Sequence, residues 1–192
     1  MKQTYNTGKQ HLSNVHWEGT FSMSKEDADK IRANPDKYIE GWELADTTDG
    51  TIVLKPKPNL VVDSGVQRAL DRLFAINGPP SALVRLGFDN GASNPVAGTT
   101  QSGANTKTLL AFDSTPSRSG NVVTATRTFT NSNVNFVMKR LFLSAHTADI
   151  TNATTADTAG TLYSMTNTFI IDFTGIATWS AVFSATVTGV GS

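Results

Sequence analysis

Apolar and polar residues alternate along the last predicted strand, which is typical of a β-strand with one buried face. The alternation covers residues 177–188, where Trp179, Ala181, Phe183, Ala185 and Val187 are interleaved with Ser180, Val182, Ser184 and Thr186. Residues two apart lie on the same side of a strand. The pattern therefore predicts that Trp179, Phe183 and Val187 face the core.

Similar segments, rich in Val, Ile, Thr and Phe, recur through the second half of the chain. They predict strands at 82–88, 107–112, 121–130, 134–143, 161–173 (with room for a break) and 177–188. Turn sequences such as Asp89-Asn-Gly91 separate them. Residues 91–106 and 146–160 hold few large apolar side chains and are predicted surface loops. Short strands with regular turns and no later helix indicate a mainly β protein, an antiparallel β-sandwich.

One amphipathic helix is predicted before these strands, over residues 64–76. Its apolar residues recur at positions i, i+4, i+7 and i+8, namely Val66, Leu70, Leu73 and Phe74. Asp63 or Ser64 can cap its start, and Asn77-Gly78 followed by two prolines can end it. We expect this helix to pack on the sheet that holds Trp179 and Phe183.

Residues 1–58 are predicted to form an extended N-terminal arm with a short helix. The helix is expected at 24–34, with Ser24 as its cap and Pro35 at its end. Short strands are expected at 38–44 and 51–54. The two prolines of Lys55-Pro-Lys-Pro58 favour an extended linker. We therefore place the border there, between an assembly arm (1–58) and a sandwich domain (59–192).

Composition removes several classes of function. The 192 residues carry equal numbers of basic and acidic side chains, and no cysteine. A neutral chain lacks the basic excess of a nucleic-acid binder and any general attraction to anionic membranes. Disulfides and thiolate sites are excluded. The N-terminal sequence has no apolar signal region, and no apolar run is long enough to span a bilayer, so we expect a soluble compartment.

No motif in the sequence predicts catalysis, a metal site or a cofactor. His11 and His16 lie five apart without further ligands, and a solvated or interfacial role is favoured for them. His146 and Asp149 lie near serines, but no nucleophile elbow is present. The scattered aspartates are typical of turns, although a glycosidase pair stays geometrically open. We therefore expect a non-enzymatic protein without cofactor.

Five residues are predicted to lie at interfaces: Trp17, Phe21, Trp42, Lys139 and Arg140. For the aromatic residues of the polar arm, anchoring to a partner and anchoring to the chain's own domain both stay open. One of Lys139 and Arg140 must point toward the inner side of its strand. It then either lies at a strand end or forms an ion pair at an interface.

Several short segments follow one another in a distinctive order. They are Asn59-Leu-Val-Val-Asp-Ser-Gly65, the helix, Leu86-Gly-Phe-Asp-Asn-Gly91, Ala92-Ser-Asn-Pro-Val-Ala97, Phe136-Val-Met-Lys-Arg-Leu-Phe142, Gly160-Thr-Leu-Tyr163 and the Trp179 strand. This order resembles a recurrent module of tailed-phage virion proteins. It covers residues 59–192. The glutamate common in the middle strand of such modules is replaced near Lys139-Arg140.

The resemblance implies a capsid cement (decoration) protein that self-associates, commonly as a homotrimer, and binds the major capsid protein. It implies location in the virion after assembly in the host cytoplasm. A tail component with the same module (an adaptor, baseplate or fibre-attachment protein, binding tail proteins) is the first alternative. A carbohydrate-binding β-sandwich is the second, and it would need an exposed aromatic platform. No nucleic-acid or membrane partner is expected.

Overall fold

An alternation of buried and exposed side chains begins at Val15 and produces the first strand. Val15, Trp17 and Phe21 are buried, and His16 and Glu18 between them are exposed. The structure is a computed structural model that describes residues 13–61, 85–102, 106–120, 122–146, 148–154 and 162–189. The predicted helix at 64–76 lies outside the described residues.

The described residues form two helices and thirteen strands. In chain order they are β1 Ser13–Met23, α1 Lys25–Ala33, α2 Pro35–Tyr38, β2 Ile39–Glu40, β3 Leu44–Thr48, β4 Thr51–Val61, β5 Arg85–Asp89, β6 Lys107–Ala111, β7 Ser117–Ser119, β8 Val122–Thr130, β9 Arg140–Ser144, β10 Ile150–Ala153, β11 Leu162–Met165, β12 Ile170–Ile171 and β13 Trp179–Gly189.

Eleven of these strands form one continuous antiparallel path whose two halves pack on each other. We call one half sheet I, with the order β3-β4-β1-β13-β8-β7, and the other half sheet II, with the order β11-β9-β5-β6-β10. Strand β4 joins them, because its first part pairs with β1 and its end pairs with β11. Strands β2 and β12 form a separate small pair.

Aromatic rings from both sheets fill the space between them. Phe183 of β13 lies 4.8 Å from the ring of Phe88 in β5 and 5.4 Å from that of Phe21 in β1. Phe88 also contacts Phe129 of β8 at 5.0 Å. All four rings are buried, and such edge-to-face pairs add to the free energy of burial. The predicted inward direction of Trp179 and Phe183 is confirmed, and so is the mainly β, antiparallel sandwich.

A second apolar cluster lies on the other side of sheet II. Leu141 and Leu143 of β9 belong to the central core, so Phe142 between them points to the opposite side. There it meets Leu109, Leu162 and Met165, all fully buried. Sheet II is therefore buried on both faces.

The boundary predicted at Lys55-Pro-Lys-Pro58 is wrong, because these residues lie inside β4. The prolines are tolerated where the pairing changes. On one edge of β4, the pairing with β3 ends at Leu54, and the pairing with β11 begins only at Leu60. On the other side, the register with β1 shifts between Leu54 and Lys57. Proline lacks an N–H group and is confined to such interruptions of a ladder.

The described part of the predicted arm belongs to the sandwich. Strand β1 lies between β4 and β13 in sheet I, with Trp17 opposite Ala185. The short helix of this region is confirmed: the backbone N–H of Asp27 donates to Ser24 Oγ at 3.1 Å, and Ala28 and Ile31 are buried. The strand predicted at 38–44 is instead the two-residue β2, followed by β3.

In the second half, most predicted strands are present, with shifted ends. The segment 134–143 was predicted as one strand, but β9 begins only at Arg140, and Met138 forms a single bridge with Ile171. Segment 161–173 is broken into β11 and β12. The loop predicted at 146–160 contains the short strand β10.

Candidate functional site

A buried ion pair lies at one end of the outer face of sheet II. Asp89 is the last residue of β5, Arg140 is the first residue of β9, and the two stand opposite each other in the antiparallel register. Arg140 Nε donates to Asp89 Oδ1 at 2.7 Å, and Arg140 Nη2 donates to Oδ2 at 2.8 Å. The side chains are only 5% and 0% exposed. This bidentate geometry is the strongest that an arginine and a carboxylate can form.

The same guanidinium fixes the loop of residues 90–102. Arg140 Nη1 donates to the carbonyl of Ser93 and Nη2 donates to that of Ser102, both at 3.0 Å. The Gly91 N–H donates to Asp89 Oδ1 at 2.9 Å. Arg140 therefore ties both ends of the loop to the sheet.

Gly91 leaves the space that this arrangement needs. A Cβ atom at position 91 would lie 1.9 Å from Arg140 Nη2 and 2.1 Å from its Cζ. Because the guanidinium of Arg140 donates four hydrogen bonds, it cannot move aside without weakening them. The glycine is thus required for close approach.

Lys107 is a second buried cation in this region. It is 0% exposed and lies opposite Asp89 on β6. Burial raises the pKa of Asp89 above its ordinary value, while the hydrogen bonds and charge of Arg140, the Gly91 N–H and the charge of Lys107 act in the opposite direction. The cluster is a fixed electrostatic anchor for the loop.

The structure separates the five predicted interface residues into three environments. Trp17, Phe21 and Trp42 are at most 6% exposed. The interface prediction for them is corrected, because they pack in the chain's own core; the Trp42 ring, for example, lies 4.8 Å from that of Phe169. Arg140 lies at a strand end, as one alternative held, and its carboxylate partner is in the same chain.

Lys139 and Trp42 are the predicted residues of the five that border open cavities; Trp42 lines one with Glu40 and Gly41, and Lys139 lines another. Lys139 is half-buried and lines a pocket of about 220 Å³ together with Glu40, Gly41, Phe169 and others. Its lining thus includes one acidic, one basic and one aromatic residue. Lys139 holds its place through its backbone, whose N–H donates to the Asp89 carbonyl at 2.8 Å.

The outer face of sheet I is a continuous array of hydroxyl groups. It is formed by the outward side chains of three neighbouring strands, which are Thr20 and Ser22 of β1, Ser180, Ser184 and Thr186 of β13, and Thr124, Thr126, Thr128 and Thr130 of β8. We call it the hydroxyl face. Val182 lies at its centre and is 42% exposed. Glu18 of β1 adds a charge at one side, and at the other side the Asp113 carboxylate accepts from Thr128 Oγ1 at 2.7 Å; the outward side chains of β13 and β8 themselves are uncharged.

A pocket lined by both apolar and uncharged polar residues lies beyond the end of the hydroxyl face. Its volume is about 270 Å³, and its lining comprises Asn131, Val134, Asn135, Phe136, Met138, Phe173, Thr174, Ile176, Ala177 and Trp179. We call it the end pocket. No charged side chain lines it, so an apolar group can enter without displacing water from an ion.

The groups considered for catalysis are engaged elsewhere. His146 Nδ1 lies 2.8 Å from the carbonyl oxygen of Ala148, while Asp149 pairs with Arg85 at 2.9 Å. His146 and Asp149 therefore do not form the base–orienter pair of a triad. Among the described residues, no three His, Cys, Asp or Glu side chains are grouped to hold a metal ion.

Comparison with known proteins gave no match. No family model matches the chain, and neither the curated proteins nor the solved structures contain a match. Within the parts of the chain that the structure describes, no helix is long and apolar enough to cross a membrane.

The sequence analysis did not identify the hydroxyl face or the end pocket. It did single out Lys139, which lines the pocket of about 220 Å³. The hydroxyl face requires β1 to lie beside β13, and residues 13–23 were assigned to an arm. The carbohydrate alternative depended on an exposed aromatic platform, for which only the three tryptophans were considered. Trp17, Trp42 and Trp179 are all buried, so the structure offers no support for it.

Proposed function

We propose that this protein is a non-enzymatic structural protein of a tailed-phage particle. In this proposal it is a capsid cement protein that binds its neighbours through the hydroxyl face of sheet I. The observation that carries the proposal is the hydroxyl-covered surface of β13 and β8, whose outward side chains are uncharged, held on a sheet whose other face is packed in the core.

Such a surface suits protein–protein contact for three physical reasons. A hydroxyl both donates and accepts hydrogen bonds, so it can pair with many partner groups. Serine and threonine lose little side-chain entropy compared with lysine or glutamate when they are covered. Finally, the outward side chains of β13 and β8 include no ion that must be stripped of water at an interface.

The phage assignment itself rests on the resemblance of residues 59–192 to virion modules. The turn Leu86-Gly-Phe-Asp-Asn-Gly91 of that resemblance contains Asp89 and Gly91, the two residues that meet Arg140. Within this resemblance the turn has a defined physical task, because Asp89 binds the guanidinium of Arg140 and Gly91 leaves space for it.

Copy number in purified particles tests the proposal. Quantitative mass spectrometry of particles that carry this protein should give a ratio to the major capsid protein that matches the shell lattice. Particle imaging should place the chain on the outer capsid surface. A few copies per particle, with density only along the tail or at the portal vertex, would move the protein to the tail alternative and overturn the cement assignment.

The role of the hydroxyl face is tested by Val182→Asp. An aspartate at its centre should weaken binding to particles that lack the protein, because a charge would have to be desolvated in the interface. The control is Thr151→Asp, at an exposed position of β10 in the other sheet. Equal binding by both variants and the wild type would contradict the use of this face.

A further inference from the structure

The turn after β5 contains Asn90-Gly91, the only Asn-Gly sequence within the described residues. Asparagine followed by glycine is especially prone to spontaneous deamidation, because glycine has no side chain to hinder attack by its own nitrogen. We propose that the buried pair of Asp89 and Arg140 protects this turn against deamidation. This protection is a second task of the pair, beyond fixing the loop, and it is independent of the proposed role in the virion.

Deamidation at this turn is a reaction within the chain. The Gly91 nitrogen attacks the side-chain carbon Cγ of Asn90, so that an N–Cγ bond forms, the Cγ–Nδ2 bond breaks, and ammonia leaves with the proton of the Gly91 N–H. Water then opens the cyclic imide to an aspartate or an isoaspartate. Two conditions follow: the Gly91 nitrogen must give up its proton, and the backbone must rotate to bring this nitrogen to Cγ.

The Asp89 carboxylate opposes the loss of the proton. The Gly91 N–H donates to Asp89 Oδ1 at 2.9 Å, and a nitrogen that lost its proton there would place a second negative charge beside the carboxylate. Both residues are buried, which keeps hydroxide, the usual base, away from the nitrogen. The carboxylate itself is a poor base, because both of its oxygens accept hydrogen bonds from the Arg140 guanidinium.

Hydrogen bonds on both sides of the asparagine oppose the rotation. The Asn90 N–H donates to the Thr106 carbonyl at 3.1 Å, and the Asp89 carbonyl accepts from the Lys139 N–H at 2.8 Å. On the following residue, the Gly91 N–H is held by Asp89. Turning the Gly91 nitrogen toward the asparagine side chain therefore breaks that bond or pulls the turn away from β6 and from the residue before β9.

The product of the reaction also lacks space. An isoaspartate at position 90 adds one atom to the main chain directly before Gly91. A Cβ atom at Gly91 would already lie 1.9 Å from Arg140 Nη2, so the main chain cannot bulge toward the guanidinium. The close approach of Gly91 and Arg140 therefore raises the free energy of the product as well as that of the cyclic intermediate.

Peptide mapping of the aged protein tests the protection. Purified full-length wild type is incubated at mildly alkaline pH, and aspartate and isoaspartate at position 90 are then quantified by mass spectrometry. Folded wild type should react at least about 100-fold more slowly than the same chain unfolded in guanidinium chloride, because reaction requires the turn to open. Similar rates in the folded and the unfolded chain would overturn the proposal.

Two variants separate the ion pair from the general stability of the fold. Arg140→Met removes the guanidinium, and Phe142→Ala is the matched control, because it truncates a buried ring of the same strand that belongs to the apolar cluster with Leu109. With both proteins folded by circular dichroism, Arg140→Met should deamidate at Asn90 about tenfold faster than Phe142→Ala, since it opens the turn locally. Arg140→Lys takes its place if Arg140→Met does not fold. Equal rates in variant and control would overturn the proposal, because global unfolding would then set the rate.

Asp89→Ala distinguishes a carboxylate that holds the Gly91 proton from one that removes it. The variant should deamidate at Asn90 faster than wild type, because the Gly91 N–H then loses its acceptor. The rate is measured by the same peptide mapping, with the folded state verified by circular dichroism. A slower reaction than in wild type would show that Asp89 acts as the base, and the proposed protection would be overturned.

Discussion

The outer faces of the two sheets differ in what covers them. On sheet I the outer face is open, with hydroxyl groups and Val182 exposed to solvent. On sheet II the outer face is closed: Leu109, Phe142, Leu162 and Met165 are fully buried, and Asp89 and Arg140 are buried beside them. The two sheets share one central core, so the difference lies only in their outward side chains.

This difference teaches how one chain separates binding from stability. A sheet that is solvated on one side alternates apolar and polar residues, as β13 does. A sheet covered on both sides carries consecutive apolar residues, as Leu141, Phe142 and Leu143 do in β9. Substitutions on the open face should therefore change association, and substitutions on the closed face should change folding.

The sharpest test compares Phe142→Ala with Val182→Ala, which truncate the central apolar residue of each outer face. Phe142→Ala should lower the free energy of unfolding by about 3–5 kcal/mol, since a fully buried ring leaves a cavity. Val182→Ala should change it by no more than about 0.5 kcal/mol, as is usual at the surface. Urea denaturation measures both. Similar losses for the two variants would remove the distinction between the faces.

Breaking the buried ion pair should cost a similar or slightly smaller amount. Arg140→Met leaves Asp89 without its bidentate partner and should lower the free energy of unfolding by about 3–5 kcal/mol. Arg140→Lys keeps the charge but not the fork of donors, so it should recover only part of the loss. A loss below about 1 kcal/mol for Arg140→Met would mean that water screens the pair, and sheet II would then be open at this end.

Gly91→Ala tests the close approach of backbone and guanidinium. The added methyl group must displace Arg140, and overpacking of this kind costs about 1–3 kcal/mol. Gly98→Ala in the same loop is the matched control, because its Cβ would meet nothing within 4 Å. Thermal unfolding of both variants provides the comparison. If Gly91→Ala is as stable as Gly98→Ala, the loop tolerates movement of the Arg140 guanidinium.

The smallest expected effect is a dependence of stability on pH. Because the pKa of Asp89 is raised in the folded protein, the folded chain binds this proton more tightly than the unfolded chain. The contribution of this proton to the free energy of unfolding is therefore complete below the pKa of Asp89 in the unfolded chain, and it is lost as pH rises through the pKa in the folded chain. The advantage of wild type over Asp89→Asn should narrow as pH rises above about 4, the ordinary pKa of an aspartate, and through the higher pKa of the folded protein. If the urea midpoints of wild type and Asp89→Asn instead diverge as pH rises, then Arg140, and not burial, controls the pKa of Asp89.

Local patterns were sufficient to predict β8 and β13 of sheet I, but not the start of β9 in sheet II. The alternation from Trp179 to Ala185 correctly identified the inward side chains of β13, and Ser24 correctly marked the start of α1. The segment 134–143 was misjudged because a run such as Leu141-Phe142-Leu143 has no period that fixes where a strand begins. Strand β9 starts at Arg140 because the ion pair to Asp89 fixes the register there, which is a contact distant in sequence.

The arm was misassigned for a related reason. Polar residues in β1 lie on the hydroxyl face, so the segment looks hydrophilic although Trp17 and Phe21 are buried on its other side. The prolines of β4 were interpreted as a linker. They are compatible with a strand only because they lie between its pairing with β3 and its pairing with β11, and the sequence does not show these pairings. Likewise, the Lys139-Arg140 pair correctly predicted a basic residue at a strand end, but the sequence alone could not assign Asp89 as its partner.

The position of β1 also bears on how the chain folds. Its neighbour β4 follows closely, so these two strands can pair as soon as both have left the ribosome. Its other neighbour, β13, is the last strand described. The pairing of Trp17 with Ala185 can therefore form only after almost the whole chain has been synthesised. Closing so long a loop is entropically costly and slows folding. Until β13 arrives, β8 and β1 each expose an unpaired edge, so we expect the nascent protein to depend on chaperones more than its modest size suggests.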